Sequence, residues 1–258
     1  MIRDRLDPSA IADYVGLRHC EFEAYNATPG LADPQAVGRL ALEIASALYS
    51  GLPQPAADRD QVDEPAQQTI AQCAGYLVYA MDGYGLDYED VCRVADHAVA
   101  QVLIRITPDN RLPSPRRNLE QRSALGQGTE VHQLVKLAEI ICAARGILGT
   151  LSPKEFAANA GYLKNWCDSQ AHLLGAMQSL ARRPRGATFV EQARKLLAAI
   201  VTRAEAARHP GSQLDGRTAT HSQGRRADRV PLQDDRSNVR HRRTACLGRT
   251  EVAGRTAL

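Results

Sequence analysis

Val131-HQLVKLAEIICAARGI-Leu148 is apolar on most sides of a helix, and shortly after it Ser152-Pro-Lys-Glu155 opens another. A helix whose apolar residues cover more than one stripe must be surrounded by protein, so 131–148 reads as the central buried element of the fold. Ser152 and Glu155 stand at capping-box spacing with Pro153 at the first helical position, which predicts a helix reaching about Ala181. From Gly186 to Arg208 the helical period continues, with Val190, Ala193, Leu196, Leu197, Ile200 and Val201 at core spacing.

Upstream, the same punctuation recurs. Asp7-Pro8 and Asp33-Pro34 each pair a capping carboxylate with a proline that fits the first turn, predicting helices to about Tyr25 and to Ser50-Gly51. Residues 26–31 read as a turn and 52–62 as a Pro-, Ala- and Asp-rich linker. A helix over Glu64 to Met81 leads into Asp82-Gly-Tyr-Gly85, a turn whose glycines tolerate positive φ. One helix is predicted from Tyr88 to Ile106, its core stripe carried by Val91, Val94, Ala95, Ala98 and Val102. Pro108, Pro113 and Pro115 interrupt regular structure, and Arg116–Leu125 reads as a short helix.

Of the 258 residues, 44% are apolar but only 5% aromatic, so the core must be built from Leu, Ala, Val and Ile. Because the Val and Ile fall in segments of helical period, the fold class is all-α, a helical bundle. Its organisation reads as an N-terminal helical segment (1–60), a main helical domain (61–208) and a tail (209–258). The net charge of +3 is unevenly spread: after Pro210 ten arginines face five acids, leaving the body slightly negative. The tail has too few apolar residues to offset ordering entropy and is expected to be disordered. Its Arg- and Thr-rich texture also resembles translation of a shifted reading frame, which would put the native C-terminus near 208. Without lysines or aromatics it is expected to meet nucleic acid only weakly.

Six cysteines are scattered without a C-x-x-C pair, the usage of a reducing compartment. There is no apolar leader and no uninterrupted apolar run near membrane-spanning length, so a cytoplasmic protein without membrane partners is expected. Phosphate-loop, dinucleotide, zincin, zinc-finger and nucleophile-elbow motifs are absent.

Val135-Lys-Leu-Ala-Glu139, the downstream Pro153 to Leu174 with Tyr162 and Trp166, and the upstream Asp90-Val91, Gln101-Val102 and Ile106-Thr-Pro-Asp109 together form a pattern of about 90 residues. In that pattern the chain resembles the C-terminal half of HD-type phosphohydrolases that cleave guanosine tetraphosphate. The resemblance implies an HD-domain-like bundle holding one manganese ion through an early His, a His-Asp doublet and a late Asp, with a Glu-Asp pair handling water. Here the doublet falls on Val78-Tyr79, the Glu-Asp pair on Asp82-Gly83 and the late Asp on Glu139; the early His would lie in the 50s, where there is none. Asp82 is thus the surviving catalytic candidate and Glu139 the surviving metal candidate. One carboxylate cannot offset the dehydration of a hard divalent ion, so the expectation is a pseudoenzyme without cofactor. Manganese enters only on the alternative reading.

Arg111, Arg116, Arg117, Lys136 and Tyr162 occupy positions that, in the resemblance, approach the bound nucleotide. Guanidinium forks suit phosphate, and the same residues also read as solvated loop charges and a core aromatic. Three functions compete. The first is a catalytically degenerate regulatory module binding an anionic guanine nucleotide. The second is an active pyrophosphohydrolase with ligands relocated to Asp82, His97, His132 and Glu139, and the third is a helical interaction scaffold.

Overall fold

The computed structural model describes residues 6–23, 32–50 and 64–208. The turn expected at 26–31, the linker at 52–62 and the tail at 209–258 lie outside the described residues. The chain divides into a unit Met1–Gln213 and a unit Leu214–Leu258, the second wholly outside the described residues.

The described residues are helical, with no strand among them: α1 (Pro8–Glu23), α2 (Pro34–Tyr49), α3 (Glu64–Tyr76), α4 (Tyr88–Val94), α5 (His97–Ile106), α6 (Ser114–Gly126), α7 (Glu130–Thr150), α8 (Pro153–Ala176), α9 (Gln178–Ala181) and α10 (Pro184–Arg208). α7 is the central helix, touching α2, α3, α5, α6, α9 and α10. Leu134, Val135, Leu137, Ala138, Ile141 and Ala144 are all completely buried, as its uniformly apolar sequence requires. α8 pairs with α10 and α2 with α3, so α1 and α2 share one core with the helices that follow.

Capping fixes most of the starts. Asp33 accepts the amides of Gln35 and Ala36, and Ser152 and Glu155 form the reciprocal box that the sequence announces. The α2–α3 crossing is close because glycines face each other, an ideal Cβ on Gly75 falling 2.8 Å from Gly38 Cα.

Three expected helices end differently. The helix expected from Tyr88 to Ile106 is broken at Ala95-Asp96, where the Asp96 carboxylate accepts the Val99 amide at 2.9 Å and starts α5 afresh. Aspartate competes with the helical backbone for its own amides, which the apolar stripe could not reveal. α3 stops at Tyr76 rather than Met81 and passes into a wound turn. α8 stops at Ala176, short of Ala181, because the wholly buried Gln133 reaches across: its amide donates to the Leu125 carbonyl and its oxygen accepts the Leu180 amide of α9. A buried amide satisfied on both sides outweighs the propensity to continue α8.

Candidate functional site

The wound turn after α3 builds the site. The Gly83 and Tyr84 amides both donate to the Tyr79 carbonyl at 2.9 Å, the Leu86 amide donates to Ala80, and Gly85 takes φ +70°, where a side chain would be strained. This winding turns Val78 and Tyr79 inward, 4% and 8% exposed. The Tyr79 hydroxyl accepts the Ala32 amide at 2.8 Å, and its ring stacks on His19 of α1 with centroids 6.2 Å apart. His19 Nδ1 lies 3.1 Å from the Tyr84 hydroxyl. Burial, followed by the Glu139 carboxylate, pushes the Tyr79 phenol well above its ordinary range and keeps it neutral.

Asp82 leaves the same turn toward α7. The residue is exposed, with protein crowded about its carboxyl. That crowding raises its pKa first, Glu139 raises it further, and the Lys136 ammonium pulls the other way. On α7, Lys136 and Glu139 share one face at i, i+3, and the ammonium donates to both Glu139 oxygens at 3.0 and 2.8 Å. Lys136 is 7% exposed, one of few charged side chains the core admits.

Asp82 thus feels the charges of both Lys136 and Glu139. Their donor set does not suit a hard divalent ion. Val78 offers no ligand atom and Tyr79 a neutral phenol. Glu139 is committed to an ammonium whose charge opposes a cation. Among the described residues no three His, Cys, Asp or Glu side chains converge. Of the relocated set, His97 Nδ1 lies 2.6 Å from the Tyr88 hydroxyl, and His132 Nδ1 caps α7 by accepting the Thr129 amide at 3.0 Å. Burial and Arg105 together hold the His132 imidazole below its usual pKa.

The arginines do not meet at one point through any bond they make. Arg111 forms a fork with Asp109, both contacts at 2.8 Å, which holds the Asp109 carboxyl down to about 2. Arg116 pairs with Glu120 one turn along α6, and Arg117 donates to Asn110. Tyr162 is 45% exposed on α8. The Cys167 thiol is buried, donates to the Leu197 carbonyl and is pushed up to about 11 by burial.

His19 and Tyr84 were the site residues that sequence reasoning passed over. The signal was present: Ile11, Val15 and His19 succeed one another at four-residue spacing, all buried, so His19 occupies a core position. What it would meet there is a tertiary matter.

The described residues form an α-helical bundle with a largely buried lysine–glutamate pair on α7, whose charges act on Asp82 and whose carboxylate acts on Tyr79. Compared with family models, curated proteins and solved structures, the chain matches none.

Proposed function

We propose that the chain is a non-hydrolytic, HD-like helical module that binds an anionic guanine nucleotide without a metal. The observation that supports this reading is the Lys136 ammonium seated on both oxygens of Glu139, the position where the resemblance calls for a metal-binding carboxylate. An internal cation there neutralises the carboxylate that a metal would otherwise neutralise, and it removes the means of activating water near neutral pH. Negative ligand charge then has to be met by side chains alone.

The test is made on purified protein in chelator, with guanosine tetraphosphate as probe. A rise in melting temperature with no pyrophosphate released is expected. Stoichiometric manganese retention with pyrophosphate release would overturn the reading in favour of a hydrolase. No shift at all would leave the helical scaffold as the function.

A further inference from the structure

A cleft of about 430 Å³ runs between α2 and α7, lined by Asp33, Ala36, Arg39, Leu40, Glu43, Cys142, Arg145 and Gly146. Its volume lies in the range of small-molecule sites, roughly 300–1,000 Å³. From it we infer that the phosphate groups of the nucleotide are held by Arg39 and Arg145, away from the arginines of the 109–117 segment. The inference rests on the nucleotide-binding reading above.

The lining sorts into three parts. Arg39 on α2 and Arg145 on α7 face the cleft from opposite walls, and the Cys142 thiol at its floor feels the charge of both. Arg145 has no hydrogen-bond or ion-pair partner among the described residues, and Arg39 has only a long 3.7 Å contact with Asp33. Asp33 is itself committed, its oxygens accepting the Gln35 and Ala36 amides at the start of α2. Two loosely held guanidiniums on facing helices make a fork for phosphate.

The second part is Glu43, one turn beyond Arg39, exposed and likewise without a partner among the described residues. A free carboxylate accepts from nitrogen donors, such as the ring N–H and amino group on one edge of a purine. The third is the apolar floor of Ala36, Leu40 and Cys142, against which a flat ring can lie. Burial pushes the Cys142 thiol up to about 11, so it remains a neutral packing surface. Phosphate, nitrogen-bearing edge and apolar face are the three features of a nucleoside phosphate. By contrast, each arginine of the 109–117 segment already has a side-chain partner.

Gly146 provides a selective test, because an added Cβ there meets nothing within 4 Å. Gly146→Leu puts bulk into the cleft wall and replaces a poor helix former with a good one, so the protein stays folded. Calorimetric titration in chelator uses guanosine diphosphate, with pyrophosphate and guanosine as separate probes. Wild type is expected to bind the diphosphate more tightly than either fragment. Arg145→Glu and Gly146→Leu are each expected to weaken it at least tenfold with melting temperature kept or raised, and Arg116→Ala to leave it unchanged. If Arg116→Ala abolishes binding and the two cleft variants do not, the cleft assignment falls and the nucleotide reading stands. If wild type binds no probe, both fall together.

Discussion

Replacing Glu139 with leucine tests the Lys136–Glu139 pair most directly. The Lys136 side chain is 9% exposed and that of Glu139 19%, so Glu139→Leu strands an ammonium that water barely reaches, with both of its bonds to Glu139 lost. Removing one partner of a buried pair costs about 3–5 kcal/mol; the modest exposure of Glu139 sets the expectation near the lower end, about 3 kcal/mol. For a body of this size each kcal/mol moves the melting temperature by about 2–4 °C, so a drop of about 6–12 °C follows. Lys136→Met in the same background removes the stranded charge, and the hydrocarbon pair should return to within about 1 kcal/mol of wild type. Urea denaturation of wild type, both single variants and the double gives the coupling energy from one cycle. A Glu139→Leu protein within about 2 °C of wild type would refute the claim that Lys136 depends on this carboxylate, and so would a double variant as unstable as the worse single.

Two further predictions concern the same framework. Because crowding and Glu139 raise the Asp82 pKa, the folded state holds that proton more tightly than the unfolded chain does, and stability falls as pH rises from about 3.8 through the raised value. Asp82→Asn should therefore melt higher than wild type at pH 7, with the gap closing at pH 3; melting curves showing a gap independent of pH would count against a raised Asp82 pKa. Gly38→Ala places a Cβ 2.2 Å from the ring of the buried Tyr76 and should destabilise by about 1–3 kcal/mol, whereas Gly146→Ala meets open space and should stabilise by about 0.5–1 kcal/mol. Thermal melts of the two side by side check both signs.

Most of the fold was legible along the chain. Asp33-Pro34, Ser152-Pro-Lys-Glu155 and the all-round apolar 131–148 are local signals whose energetics are settled within a turn or two, and each element formed where it was expected. The errors fell where a side chain overrode the period. Asp96 cut one helix in two, and Gln133, buried between α6 and α9, shortened α8. Neither effect follows from hydrophobic spacing, since each depends on one hydrogen bond rather than on a stripe. For the candidate site, Asp82 and Glu139 come from the resemblance alone. The ammonium on Glu139 could not be assigned, because i, i+3 spacing permits a salt bridge without saying that burial will enforce it.

The amino-acid sequence alone determined an all-helical chain, the caps that start its helices and the identity of the central one, because these depend on neighbours within a few residues. Only the tertiary structure decided that His19, from the first helix, stacks on Tyr79, that Lys136 neutralises Glu139 beside Asp82, and that Arg39 and Arg145 face one another across a cleft. These meetings join residues from different helices or depend on burial by them, and helical periodicity carries no information about which faces will be brought together.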